Sequence, residues 1–145
     1  MNATGSVLVD TSVVVDYLRQ DPILHQKLDQ VEDVYLPLTA LGELLYGAHK
    51  SQQKGKALTQ VQEFSRGCII ILPDEATADV YGQIKTDLSA AGKTIPENDV
   101  WIAAVARQYD LPVATRDRHF SFVLGLTRAG LVGACVSSAN GSQKS

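Results

Sequence analysis

The chain has 145 residues, of which 45% are hydrophobic and 20% charged, and its formal net charge at pH 7 is −3. Length and composition predict one ordinary globular domain. They exclude a membrane-spanning helix, because no apolar stretch is long enough. The acidic balance argues against a simple nucleic-acid-binding module, which would carry a basic stripe, unless bound metal ions change the local charge. The N-terminus has neither a cationic region nor a long apolar region, so we expect a cytoplasmic protein.

Strands and helices alternate along the sequence. The first strand is predicted over 6–9, and Asp10-Thr11-Ser12 then supplies the cap for a short helix over 13–18. The further predicted elements are a helix from Asp21-Pro22, a strand over 34–36, helices over about 39–51 and 55–65, a strand over 69–72, a helix over 75–91, a helix capped by Asn98 and running to about 109, and strands over 112–115 and 130–136. This alternation predicts an α/β fold, a parallel sheet of four to five strands with helices on both faces.

The domain is expected to span residues 1–136. The polar segment 137–145 is rich in Ser, Gly and Asn and predicts a disordered tail. Cys68 and Cys135 lie in apolar runs, which favours buried thiols over a disulfide, and no Cys or His pair has the spacing of a zinc site. The histidines at 25, 49 and 119 lie in unrelated contexts and are interpreted as surface or core residues.

Four acidic residues occupy equivalent positions in the predicted topology. Asp10 closes the first strand, Glu43 is the only charge between residues 35 and 48, Asp99 begins a helix and Asp117 follows a strand. Each alone has an ordinary explanation, such as a helix cap, an exposed position or a solvated loop charge. Together they would meet at the carboxyl edge of the sheet, where open parallel sheets bind ligands. Their mutual repulsion calls for a hard divalent cation such as Mg²⁺.

Polar residues beside these acids are candidates for supporting roles. The hydroxyls of Thr11 and Ser12 are expected near Asp10, and Asn98 lies beside Asp99. Two arginines flank Asp117, and two alternatives are open for them. Arg116 and Arg118 either hold a phosphate group or neutralise the carboxylate between them.

Four segments carry a resemblance to a known family. They are VDTSVVVDYL at 9–18, GELLYG at 42–47, NDVWIAA at 98–104 and ATRDRHF at 114–120. In this order they resemble the PIN-domain ribonucleases, and specifically the VapC-type toxins of bacterial toxin–antitoxin pairs. The similarity covers nearly everything from residue 7 to about residue 126.

The resemblance implies a single PIN-like domain. It carries the family's acidic quartet onto Asp10, Glu43, Asp99 and Asp117, and its polar helper onto Thr115. It also implies Mg²⁺ or Mn²⁺ as cofactor, single-stranded or loop RNA as substrate, a VapB-type antitoxin as partner, and a homodimer. The expected reaction is hydrolysis of RNA phosphodiester bonds by a metal-dependent endoribonuclease that acts as the toxin.

The expected division of labour within the quartet follows from metal-ion chemistry. Asp10, Asp99 and Asp117 would hold one or two Mg²⁺ ions, and Glu43 would either complete the metal's shell through water or orient the attacking water. The main alternative is a non-catalytic PIN-like module that binds RNA or protein, whose usual mark is a lost acid; none is lost here. A receiver-type phosphoryl-accepting domain needs paired acids after the first strand and a lysine after the last, and neither is evident.

Overall fold

The central layer is a parallel β-sheet, seen in a computed structural model that describes residues 4–129. Its strands are β1 (Thr4–Val9), β2 (Val31–Pro37), β3 (Ile69–Ile71) and β4 (Val113–Ala114), in the order β3-β2-β1-β4. On strand β1, Leu8 is in register with Tyr35 on one side and with Val113 on the other. The three consecutive residues of β1 from Val7 to Val9 are at most 1% exposed. Since successive side chains point to opposite faces, both faces of the sheet are covered.

Six α-helices and one 3₁₀ helix complete the described part of the chain. They are α1 (Thr11–Leu18), α2 (Pro22–Leu28), α3 (Leu38–His49), α4 (Lys54–Arg66), α5 (Glu75–Ala90), α6 (Glu97–Gln108) and the 3₁₀ helix Arg118–Phe122. The predicted α/β fold with a parallel sheet and helices on both faces is therefore confirmed. No helix within residues 4–129 is both long and apolar enough to cross a bilayer.

Helix α6 packs deeply into the core, since Ile102, Ala103 and Ala104 are fully buried. Small side chains let it lie close to its neighbours, and it packs mainly against α5. Burial along nearly its whole length fixes the position of its first turn, which carries Asp99. The core therefore determines where this acid lies relative to the sheet.

The helix start at α6 differs from the prediction. Asn98 is not the cap: Pro96 occupies the N-cap position, the helix begins at Glu97, and Asn98 lies within the first turn. Proline suits a helix start because it has no backbone N–H to satisfy and its φ, −56° here, is already close to the helical value. This leaves the amide side chain of Asn98 free for another contact.

The chain after the 3₁₀ helix returns to the sheet next to β4. The backbone N–H of Val113 donates to the carbonyl of Thr127, and that of Ala129 donates to the carbonyl of Val113, both at 2.8 Å. The predicted strand over 130–136, the tail over 137–145 and Cys135 lie outside the described residues. The other cysteine, Cys68, is half-buried, and burial raises the pKa of its thiol to about 11, which is typical of an unreactive packing residue.

Candidate active site

The four predicted acids are carried by four different parts of the fold. Asp10 directly follows β1 and Asp117 follows β4 by three residues, and these two strands are parallel neighbours in which Val9 pairs with Ala114. Both acids therefore emerge at the same edge of the sheet. Helix α3 brings Glu43 to this edge and the first turn of α6 brings Asp99.

Asp10 is the most buried of these carboxylates, with 3% of its surface exposed. Its Oδ1 accepts hydrogen bonds from the backbone N–H of Val13 and from the Ser12 hydroxyl, both at 2.9 Å, and its Oδ2 accepts one from the Thr115 hydroxyl. Burial raises the pKa of Asp10, and these hydrogen bonds oppose that rise by stabilising the ionised form. The side chain is thus held in one orientation by both α1 and the end of β4.

Glu43 is half-buried and uses both of its carboxylate oxygens. The Thr11 hydroxyl donates to its Oε1 at 2.6 Å, and the Asn98 side-chain amide donates to its Oε2 at 3.0 Å. The prediction placed Thr11 beside Asp10, whereas the structure directs its hydroxyl to Glu43 and leaves Ser12 on Asp10. Asn98 therefore ties α6 to α3 instead of capping α6.

His119 joins the acids, although sequence reasoning interpreted it as an ordinary surface or core residue. Its Nδ1 lies 2.8 Å from Oδ1 of Asp117 and 3.7 Å from Oδ2 of Asp99. One ligand atom from each of these three residues lies within 4.8 Å of the other two. The available signal was its position two residues after Asp117, in the turn that follows a strand at the acidic edge.

Thr115 connects two of the acids. Its hydroxyl donates to Asp10 and accepts a hydrogen bond from the backbone N–H of Asp117 at 2.8 Å. Asp117 in turn accepts from the backbone N–H of His119 at 2.9 Å. Thr115 is 2% exposed, so a single buried hydroxyl sets the spacing between the end of β1 and the loop after β4.

The acids act on one another electrostatically. The pKa of Asp99 is raised to about 7, first because the carboxyl is partly removed from water, and then by the negative charges of its neighbours Asp117, Asp10 and Glu43. The charges of the other three carboxylates therefore all act on Asp99. A bound cation would offset this negative charge and favour the ionised form of all four.

The donor set of this cluster fits a divalent cation. The Nδ1 atom of His119 is buried and makes no hydrogen bond of acceptable geometry, despite its closeness to the Asp117 carboxylate. Buried polar atoms normally have a hydrogen-bond partner, and imidazole nitrogen and carboxylate oxygen are both donor types that divalent metal ions accept. Carboxylate oxygens suit Mg²⁺ and Mn²⁺, and an added imidazole is compatible with Mn²⁺.

The two arginines beside Asp117 lie in different surroundings. Arg116 turns away from it, and its guanidinium bonds to Asp16 at 2.9 Å and to Asp21 at 3.0 Å. The alternative in which Arg116 neutralises Asp117 is therefore wrong. Arg118 is exposed at the start of the 3₁₀ helix.

The sequence of this chain matches that of a known protein family. The family model of the PIN domain matches residues 7–123 of this chain. The chain belongs to the PIN-domain family. The match spans every one of the four segments that carried the resemblance.

Individual relatives agree with this assignment. Toxin FitB of Neisseria gonorrhoeae is 37% identical over 122 residues, covering 77% of this chain and 87% of the relative. Ribonuclease VapC2 of Haemophilus influenzae is 30% identical over 122 residues, covering 82% and 92%. Among solved structures, VapBC2 from Rickettsia felis, bound to a DNA fragment from its promoter, superposes with a TM-score of 0.81 at 23% identity, covering 86% of this chain and 97% of that one. The resemblance to VapC-type PIN-domain proteins is thereby confirmed.

Proposed function

We propose that this PIN-domain protein is a divalent-metal-dependent endoribonuclease and the toxin of a VapBC-type toxin–antitoxin pair. The observation that carries the proposal is the convergence of Asp99, Asp117 and His119, with one ligand atom each within 4.8 Å, in a field shared with Asp10 and Glu43. The relatives named a ribonuclease and a toxin support the same activity. A non-catalytic module would have no need to gather four mutually repelling carboxylates at one edge of the sheet.

Asp10, Asp99 and Asp117 are the proposed ligands of Mg²⁺ or Mn²⁺, and His119 is a further candidate. A cation held by these residues would lower the pKa of a water molecule and neutralise charge on the phosphate. Thr115 holds Asp10 and Asp117 in place for this role through its two hydrogen bonds.

Glu43 has a different proposed role. Thr11 and Asn98 engage both of its oxygens, so its orientation is set before any substrate arrives. A carboxylate positioned in this way is suited to orienting the attacking water or accepting its proton. Attack at phosphorus by water then expels a ribose oxygen of the RNA.

The proposed function also implies a protein partner, an oligomeric state and a cellular location. A VapB-type antitoxin is the proposed protein partner, supported by the likeness to a VapBC structure, and a homodimer is the expected assembly. A nuclease restrained by an antitoxin and acting on cellular RNA is expected in the cytoplasm. The mass of the purified protein in solution tests the dimer.

The decisive experiment measures cleavage of total RNA by the purified protein with Mg²⁺, with Mn²⁺ and with EDTA. We expect cleavage with either metal, none with EDTA, and none for Asp99→Asn. Asp87→Asn is the matched control, because Asp87 is an exposed acid on α5, and it should cleave like the unaltered protein. Full activity of Asp99→Asn, or cleavage that survives EDTA, would contradict the proposal and favour a non-metal mechanism.

A growth assay tests the toxin role separately. Expression of the chain alone should arrest growth, and Asp99→Asn should restore it. Unimpaired growth with the unaltered protein accumulating in the cell would remove the toxin assignment and leave the nuclease chemistry to be judged on the cleavage assay.

A further inference from the structure

The 3₁₀ helix that carries His119 also carries an exposed aromatic ring. Phe122 is 38% exposed, although its neighbours Phe120 and Val123 are buried. Residues three apart in a 3₁₀ helix lie above one another, so His119 and Phe122 share a face, and their ring centroids are 6.5 Å apart. The ring of Phe122 is therefore presented to solvent directly beside the acid cluster.

A lysine from another element lies over this ring. The Nζ atom of Lys93 is 4.7 Å from the centroid of Phe122. Its backbone is held by the end of α5, where Gly92 adopts a φ of +68° and the N–H of Lys93 donates to the carbonyl of Leu88 at 2.9 Å. This is a Schellman-type helix end, in which glycine takes the left-handed conformation at little cost.

Lys93 is also close in sequence to one of the acids. It lies in the connection between α5 and α6, a few residues before Asp99 in the first turn of α6. A cation and an aromatic ring from two separate elements thus meet at the margin of an otherwise anionic site. Single-stranded RNA is held by this pair of groups in general, since aromatic rings stack on bases and cations pair with phosphates.

We propose that Phe122 and Lys93 form a nucleotide subsite for single-stranded RNA beside the acid cluster. The ring of Phe122 stacks on a base, and the ammonium group of Lys93 leaves the ring to pair with a phosphate of the same strand. Because every base has a π-face, this subsite selects unpaired RNA over duplex and does not select a sequence. The inference rests on the proposed function only in taking RNA as the substrate.

The test is a binding measurement, which does not depend on cleavage. The probe is a fluorescein-labelled oligouridylate of twelve nucleotides, titrated in Ca²⁺ in place of Mg²⁺ and followed by fluorescence anisotropy. Phe122→Leu should weaken binding about tenfold, the order expected for loss of one stacked base. Phe122→Trp should restore it, because indole also stacks, and this variant separates stacking from a general packing defect.

A matched control lies at the other end of α6. Tyr109 is 46% exposed and follows the last residue of that helix, so Tyr109→Leu removes an exposed ring of similar size about 15 Å or more from Asp99 along the helix axis. It should bind the probe like the unaltered protein. A labelled duplex RNA of the same length should bind equally to Phe122→Leu and to the unaltered protein.

The role of Lys93 has its own readout. Lys93→Gln should reduce the slope of log Kd against log salt concentration by the amount that corresponds to the loss of about one phosphate contact. Lys93→Arg should keep the slope of the unaltered protein. Equal binding of the oligouridylate by Phe122→Leu and the unaltered protein, or no binding by the unaltered protein, overturns the subsite. If the subsite variants behave as expected while Mg²⁺ supports no cleavage, the nuclease proposal fails and the subsite stands.

Discussion

Two acidic clusters lie next to each other in this protein, and they are built in opposite ways. In the first, Asp16 and Asp21 share the guanidinium of Arg116 at 2.9 and 3.0 Å, so part of their negative charge is neutralised within the protein. In the second, partial burial and then the negative charges of Asp117, Asp10 and Glu43 raise the pKa of Asp99 to about 7. The acids that share Arg116 stabilise the fold, whereas the second set is proposed to receive a cation from outside the protein.

The largest expected difference between the two clusters is in catalysis. Asp10→Asn should reduce RNA cleavage by roughly 100-fold or more, because it removes a proposed metal ligand. Asp16→Asn should leave cleavage within about twofold, because its carboxylate serves an ion pair. Initial rates on one RNA substrate measure both variants, and equal losses would erase the distinction between the clusters.

The second expected difference is in metal-linked stability. Adding Mg²⁺ or Mn²⁺ at about 100 times its dissociation constant should raise the free energy of unfolding by roughly 2.7 kcal/mol, because only the folded protein assembles the site. The increase should disappear in Asp99→Asn and persist in Asp16→Asn. Thermal unfolding with and without metal checks this, and metal uptake by Asp99→Asn equal to that of the unaltered protein would rule out Asp99 as a ligand.

A smaller difference concerns pH. The pKa of Asp99 is raised in the folded protein, so the folded state binds a proton that the unfolded state has released in the range from about pH 4 to pH 7. The metal-free protein should therefore lose stability as pH rises from 6 to 8, by roughly 1 kcal/mol. Asp99→Asn should show a flatter profile. Denaturant titrations in EDTA at each pH measure it, and a stability that rises over this range would contradict the assigned direction.

A similarly small effect on stability is expected in the first cluster, which consists of Asp16, Asp21 and Arg116. Arg116→Gln should lower the free energy of unfolding by about 1 kcal/mol, because two partly exposed ion pairs are lost and their acids are left close together. It should leave metal binding intact, since Arg116 makes no ion pair with Asp117. Loss of metal binding in this variant would show that the clusters are coupled.

Much of the fold followed from local pattern. The apolar run before Asp10 predicted a central strand, and the apolar residues at every fourth position after Asp74 predicted α5. The alternation of strands and helices predicted the parallel sheet. Element ends were less predictable. Asn98 looked like a helix cap, but Pro96 starts α6 two residues earlier than Asn98 would have, because the φ of proline already favours that start.

The sequence by itself determined that Asp10 and Asp117 come to the carboxyl edge of the sheet, because the position of an acid after a parallel strand follows from strand order and direction. Only the tertiary structure decided which way the side chains of Arg116, Asp117 and His119 turn. These residues lie within four positions of one another, yet Arg116 joins one acidic cluster and the other two join the second. That choice depends on how the loop after β4 folds against α1 and α6, and such contacts between distant segments leave no periodic trace in the sequence.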